Sequence, residues 1–261
     1  MYDFISGILS NEEGNAVLDI FGIWHIFYLL IIFLGIIFVI FLFRKKEEKI
    51  KKRVINITIN SVFLLYILDF FLMPFSYGYI DVDKLPFHIC TLMGLMTFVA
   101  RNNKYFSRFT PQFTLLGLIG ALMYITYPSG VADGEVYAFS YRIVQTMLYH
   151  GLLVAHGVFS LAFGDVKLEW KMIYRELIVI SIIAVIAVVA NNVYSGELGE
   201  FNWFFVSNDP FGLFPESISG YVMPFVMIAV IFIMNVLIYL IYFGFLKLFE
   251  NKRINLQLRR N

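Results

Sequence analysis

Seven long apolar stretches, separated by polar or charged segments, restrict this chain to a membrane fold. They cover residues 21–43, 54–77, 85–100, 110–128, 138–164, 174–194 and 221–248. A helix needs about 20 mostly apolar residues to cross the hydrocarbon core of a bilayer. The chain is 60% hydrophobic and only 15% charged, which is unlike an ordinary soluble domain. We therefore expect an all-α, polytopic integral membrane protein that forms a single helical-bundle domain over residues 1–261.

The distribution of basic residues predicts the orientation. All of the 20 lysines and arginines except Lys84 and Arg142 fall in loops or at the ends of stretches on one side of the predicted bundle, or in the C-terminal tail. Because positively charged loops stay in the cytoplasm, this side is predicted to be cytoplasmic. We expect seven transmembrane helices, with the N-terminus outside and the C-terminus in the cytoplasm. The net charge of +1 gives no indication of a nucleic-acid partner, and none is expected.

The fifth stretch has a polar face. At 100° per residue, six polar side chains fall within a sector of about 140°: Arg142, Gln145, Thr146, Tyr149, His150 and His156. The opposite face carries Ile143, Val144, Met147, Leu148 and Ala155. Ionisable groups at membrane depth mostly face a protein interior or a wet cavity. We therefore predict that this helix lines a polar, substrate-binding pocket.

Polar groups on other spans lie near the same outer depth and are assigned to the same pocket: His25, Asp69, His88, Cys90, Asn191 and Asn192. Asp69 and Arg142 have opposite charges and comparable depths. An unpaired charge is costly there, so we expect an ion pair or hydrogen-bonded charges. Gln145, Asn191 and Asn192 are candidate donors to a developing oxyanion.

Cys90 and His150 are the candidate catalytic residues. A buried cysteine is usually a small packing residue, but a thiol next to a histidine can ionise and attack an ester. His150 lies at a depth that the third span can match. His88 and Cys90 are two residues apart and would point in opposite directions on a regular helix. Since zinc needs three or four converging ligands, we expect neither a metal nor a cofactor.

An aromatic-rich connection joins the last two spans. Residues 195–220 contain Trp203, Phe204, Phe205, Phe211 and Phe214. This composition suits a re-entrant or interfacial segment better than a solvated loop. The sequence leaves open whether the segment covers a cavity or only anchors the protein at the interface.

Three segments resemble a known family. The family is that of the YwaF-like bacterial integral membrane proteins. The segment LPFHICTLMG (85–94) resembles their LPxHxC stretch, and the segment YRIVQTMLYHGLLVAHG (141–157) resembles their FWQFxxxHG helix. The segment NNVYSGELGEFNWFF (191–205) resembles their N…NYMFL segment. The chain departs from the pattern at Tyr141–Arg142, where an aromatic pair is more usual, at Asn202–Trp203, and by the additional His156.

The YwaF-like family is similar to eukaryotic seven-span lipid enzymes. One of these is a cysteine-dependent acyltransferase acting on ether phospholipids, and more distant ones are threonine hydrolases of fatty acid esters of hydroxy fatty acids. The resemblance implies Cys90 as nucleophile, His150 as base, and His88 and Asn202 as supporting or substrate-binding groups. It also implies membrane lipids as substrates and the bacterial cytoplasmic membrane as the location.

Two other classes of function remain open from the sequence. A polar intramembrane pocket is also typical of small-molecule binding and transport proteins. His25, His88, His150 and His156 could instead report pH in a sensing or assembly protein. The sequence does not identify the oligomeric state, the lipid or the acyl acceptor.

Overall fold

The computed structural model describes residues 16–76, 78, 82–128, 136–195, 201–209 and 212–258, with side chains described except for residues 76, 83 and 248–258. Within these ranges the chain forms seven α-helices and no β-strand. The helices are α1 (Ile23–Phe43), α2 (Glu48–Ser76), α3 (Ile89–Asn102), α4 (Thr110–Thr126), α5 (Tyr141–Ala162), α6 (Ile173–Tyr194) and α7 (Glu216–Leu258). Each predicted stretch coincides with one helix, and the all-α prediction is confirmed.

Five of the helices in the described ranges, α1, α2, α4, α6 and α7, are long and apolar enough to cross a membrane. Helix α3 has 14 residues, and at 1.5 Å per residue it is about 21 Å long, which is shorter than the hydrocarbon core. Helix α5 has 22 residues, but its polar side chains lower its mean hydropathy. These features support an integral membrane bundle of helices.

Local sequence explains where several helices begin. The side chain of Ser140 accepts a hydrogen bond from the backbone N–H of Ile143 at 3.4 Å and caps α5. Pro111 lies in the first turn of α4, where its missing N–H has no partner to lose. Helix α3 begins directly after His88, whose backbone is extended.

Helix α5 is the centre of the bundle. It packs against α1, α2 and α4, while α3 packs on α4 and α2, and α6 pairs with α7. Its predicted apolar face is therefore only partly directed outwards: Ile143 and Met147 are fully buried beside α1, whereas Val144 and Leu148 remain exposed. Because other helices cover α5 on more than one side, its sequence is neither that of a simple amphipathic helix nor that of a uniformly apolar one.

Glycines bring the central helices close together. A Cβ atom at Gly120 of α4 would lie 2.7 Å from Ile89 Cγ2 and 3.1 Å from the backbone nitrogen of Cys90. A Cβ atom at Gly157 of α5 would lie 2.6 Å from Leu118 Cβ. Small residues allow this approach of helix backbones. The close approach at Gly120 sets the position of the first turn of α3, and therefore of Cys90, against the bundle core.

Candidate functional site

The structure brings Cys90 and His150 together. Cys90 lies in the first turn of α3 and His150 lies midway along α5, and the two are separated by 60 residues in sequence. The Sγ atom of Cys90 is 3.3 Å from Nε2 of His150. Both side chains are buried. A thiol and an imidazole thus meet inside the bundle, at hydrogen-bonding distance.

The other ring nitrogen fixes the tautomer of His150. Its Nδ1 atom is 2.9 Å from the backbone oxygen of Thr146, one turn earlier on α5. A carbonyl oxygen only accepts, so Nδ1 carries the hydrogen and donates it. In the neutral ring Nε2 then has a free lone pair directed at the thiol. This is the arrangement in which an imidazole takes a proton from a cysteine.

Aromatic side chains hold the His150 ring. Tyr124 of α4 stacks on it with ring centroids 3.9 Å apart and an interplanar angle of 7°. Tyr149 contacts it edge-on, with centroids 5.0 Å apart. Contacts on the face and at the edge restrict the ring to one orientation. Nothing in the sequence distinguished Tyr124 from the other aromatic residues of the spans.

The Tyr149 hydroxyl is a buried donor near the pair. Among the described residues it has no hydrogen-bond partner. It packs against Gly94, which lies one turn after Cys90 on α3. Buried polar atoms are normally hydrogen-bonded, and this hydroxyl is one of several buried side-chain atoms in the described residues that have no partner. Unlike the side chains of Asn191 and Asn192, which donate to backbone oxygens, this hydroxyl has no partner among the described residues.

His25 is occupied in holding two helices together. Its Nδ1 atom accepts a hydrogen bond from the backbone N–H of Phe21 at 2.9 Å, so Nε2 donates to the backbone oxygen of Ile125 at 2.7 Å. The side chain is fully buried. It ties the start of α1 to the end of α4, and both of its nitrogens are used.

Asp69 pairs with Lys84, and the expected pairing of Asp69 with Arg142 is wrong. The Nζ atom of Lys84 is 3.5 Å from Oδ2 of Asp69, and the Tyr141 hydroxyl donates to Oδ1 at 2.9 Å. Lys84 is the last residue of a short 3-10 helix between α2 and α3. This segment brings a cation back onto α2, which hydropathy cannot show. Arg142 is half-buried at the start of α5.

The aromatic connection covers the N-terminal end of α3. The backbone N–H of Phe204 donates to Nδ1 of His88 at 3.3 Å. Asn191 of α6 accepts from the backbone N–H of Trp203 at 2.9 Å and donates to its backbone oxygen at 3.1 Å. Trp203 and Phe204 are fully buried. Residues 203–205 therefore pack as a cover, while residues 196–200, 210 and 211 lie outside the described ranges.

Asn192 and Asn202 do not reach the thiol–imidazole pair. Asn192 is exposed and donates to the backbone oxygen of Val188 at 2.7 Å. Asn202 accepts hydrogen bonds from the backbone N–H groups of Ser207 and Asn208 at 2.9 and 3.1 Å. Asn192 therefore bonds the backbone of its own helix, and Asn202 stabilises the backbone of the loop that precedes α7.

The remaining predicted residues of α5 lie on either side of His150. One turn before it, the Thr146 hydroxyl donates to Oε1 of Gln145 at 3.3 Å, and both side chains are buried. Beyond it, Nδ1 of His156 donates to the backbone oxygen of Ile55 at 3.2 Å, so its imidazole binds α2. Among the described residues, no three metal-ligating side chains of the His, Cys, Asp or Glu type come together.

A buried carboxyl group on α6 was missed by the sequence analysis. Glu176 accepts hydrogen bonds from Nδ2 of Asn235 at 2.6 Å and from the Tyr239 hydroxyl at 2.8 Å, both on α7. Its side chain is fully buried. The available signal was a carboxylate near the start of an apolar span, together with an asparagine in the last span.

Comparison with known families identifies the chain. The model of the TMEM164 family, a family of membrane proteins, matches residues 20–242. This match includes all residues of the Cys90–His150 site and six complete helices. No curated protein and no solved structure is significantly similar. The chain therefore belongs to the TMEM164 family.

Proposed function

We propose that this protein is a membrane-embedded lipid acyltransferase or ester hydrolase with Cys90 as nucleophile and His150 as general base. The observation that carries the proposal is the 3.3 Å separation of Cys90 Sγ and His150 Nε2. The segments that carry these residues, 85–94 and 141–157, resemble YwaF-like proteins, a family that is similar to cysteine-dependent lipid enzymes. This resemblance supports the proposal independently. Membrane lipids are the proposed substrates, and we expect no nucleic-acid partner.

The first half of the reaction transfers an acyl group to Cys90. Nε2 of His150 takes the thiol proton as Sγ bonds to the carbonyl carbon of a lipid ester, and the carbonyl π electrons move onto oxygen. The Tyr149 hydroxyl, which has no partner among the described residues, donates to this oxyanion. The bond from carbon to the alcohol oxygen then breaks, and His150 returns the proton to the leaving alcohol.

The second half releases the acyl group. A hydroxyl group of a second lipid, or water, gives its proton to Nε2 of His150 and attacks the thioester carbon. The carbon–sulfur bond breaks, and Sγ takes the proton back from the imidazole. Transfer and hydrolysis differ only in the acceptor. The hydroxyl group of a lipid is the preferred acyl acceptor if the cover formed by residues 203–205 limits the access of water to the thioester.

The proposed topology has seven spans, with the N-terminus outside and the C-terminus in the cytoplasm. The basic loops support this orientation. Helix α3 is too short, and helix α5 too polar, to qualify as a membrane span by length and hydropathy alone. These two helices carry the site and pack in the core of the bundle. Given the resemblance to YwaF-like proteins, we propose the bacterial cytoplasmic membrane as the location.

Intact-mass spectrometry of the purified protein incubated with phospholipid tests the proposal. We expect a hydroxylamine-sensitive acyl adduct that is absent in Cys90→Ala, and a turnover that is lower by about 10²- to 10⁴-fold in His150→Gln. His156→Gln, which alters another buried histidine of α5, is the matched control and should keep its turnover. Unchanged turnover in Cys90→Ala would exclude the mechanism. Tight lipid binding without turnover in any variant would favour a binding or transport protein.

A further inference from the structure

A cavity lies at the basic end of the bundle, away from the thiol–imidazole pair. Its volume is about 210 Å³, and it is lined by Arg108, Phe109 and Arg175. Arg108 belongs to the short 3-10 helix that leads into α4, and Arg175 lies in the first turn of α6. Two cationic side chains from different parts of the chain thus face one opening.

Aromatic rings support both guanidinium groups. The Cζ atom of Arg108 is 4.7 Å from the centroid of the Phe109 ring. The Cζ atom of Arg175 is 5.7 Å from the Tyr174 ring, and its Nε donates to the Tyr174 hydroxyl at 3.1 Å. A guanidinium group that lies over a ring keeps N–H groups at its edge available for an oxyanion.

The nearby acidic side chains have other partners. Asp165 pairs with Arg101 at 2.8 Å, Glu169 pairs with Lys171 at 2.6 Å, and Glu176 points into the interface with α7. Within the part of the chain that the structure describes, neither Arg108 nor Arg175 forms an ion pair with a carboxylate. The cavity therefore has positive charge that no carboxylate among the described side chains neutralises, and it suits an anionic ligand.

We propose that this cavity binds the phosphate group of an anionic phospholipid. Two arginines can bind phosphate oxygens with paired, charge-assisted hydrogen bonds. The flanking side chains of Tyr105, Trp170 and Tyr174 are more than half exposed, as in the aromatic belts at the level of lipid head groups. Basic pockets between membrane helices bind lipid head groups in this way. The site does not depend on Cys90 or His150.

Native mass spectrometry of the full chain in neutral detergent tests this site. The protein is titrated with phosphatidylglycerol and, separately, with phosphatidylcholine. Removal of both cavity charges in the double variant Arg108→Gln/Arg175→Gln should weaken phosphatidylglycerol binding by about tenfold. The double variant Lys45→Gln/Lys46→Gln, which removes two charges from the loop between α1 and α2, should bind as the wild type does. Phosphatidylcholine binding should be the same in all three proteins.

Three results would overturn the proposal. Equal phosphatidylglycerol binding by the wild type and the cavity variant would show that the arginines do not bind the head group. An equal loss in the Lys45/Lys46 variant would show that general surface charge is sufficient. Glycerol phosphate that binds as tightly as phosphatidylglycerol would identify a soluble phosphate compound as the ligand. Both arginines are exposed, so folding should be retained, as equal thermal unfolding would verify.

Discussion

The hydroxyl of Tyr149 packs so tightly on Gly94 that a Cβ atom added at Gly94 would lie 2.8 Å from the hydroxyl oxygen. This contact joins α3 to α5 one turn beyond Cys90. It holds the tyrosine hydroxyl near the turn of α3 that carries the thiol. The absence of a side chain at residue 94 is therefore part of the geometry of the site.

Substitution Gly94→Ala should lower both stability and turnover. The added methyl group would displace the buried Tyr149 ring, and overpacking of this kind destabilises by about 1–3 kcal/mol. Gly35→Ala in α1 is the control, because no atom lies within 4 Å of a Cβ there, and its stability should not fall. Unfolding in detergent measures the difference, and equal stability of the two variants would contradict the packing described.

Substitution Tyr149→Phe should separate activity from stability. If the hydroxyl stabilises the oxyanion, kcat should fall by about 10²-fold, while the free energy of unfolding stays the same or rises, because the hydroxyl has no partner in the described structure. Tyr239→Phe should lower the free energy of unfolding and leave kcat unchanged, since this hydroxyl donates to Glu176 and is not part of the site. Wild-type kcat in Tyr149→Phe would rule out the donor role.

Substitutions of the adjacent residues Asn191 and Asn192 should have different effects on stability. Asn191→Ala removes two hydrogen bonds to the backbone of Trp203, so the free energy of unfolding should fall by about 2–3 kcal/mol. Hydrogen exchange at the Trp203 amide should become faster. Asn192→Ala, at an exposed position, should leave both measurements unchanged. Similar exchange in the two variants would show that Asn191 does not hold the cover.

Glu176 should be important for the pairing of α6 with α7. Glu176→Ala leaves buried donors of Asn235 and Tyr239 without an acceptor, at a loss of about 3 kcal/mol. Glu176→Gln keeps one acceptor oxygen and should lose less. Glu169→Ala removes an exposed ion pair with Lys171 and should change stability by less than about 1 kcal/mol. Chemical unfolding in detergent would refute the prediction if Glu176→Ala and Glu169→Ala were equally stable.

The sequence predicts the helices well because apolar runs end at charged or turn-forming segments. Helix α4 begins at residue 110 as predicted, and α6 begins at residue 173, one residue before its predicted start. The polar character of α5 also follows from periodicity alone. These features depend on residues close together in sequence, where hydropathy and capping dominate.

Partners across helices could not be predicted in the same way. The approach of Cys90 to His150 requires matching depth, which the sequence indicates, and matching rotation of two helices, which it does not. Lys84 replaces Arg142 as the partner of Asp69 because a short segment folds back onto α2. Asn191 is buried while Asn192 is exposed, a difference set by how α6 is turned.

The hydrogen bond from His150 Nδ1 to the backbone oxygen of Thr146 has a consequence for mutagenesis. In many hydrolases a carboxylate side chain orients the imidazole, and replacing it disables the enzyme. Here the orienting atom belongs to the polypeptide itself, so every amino acid at position 146 supplies it. A scan of single substitutions should therefore find no essential side chain that orients the imidazole, and substitutions at residue 146 that keep the helix should keep the orientation of His150.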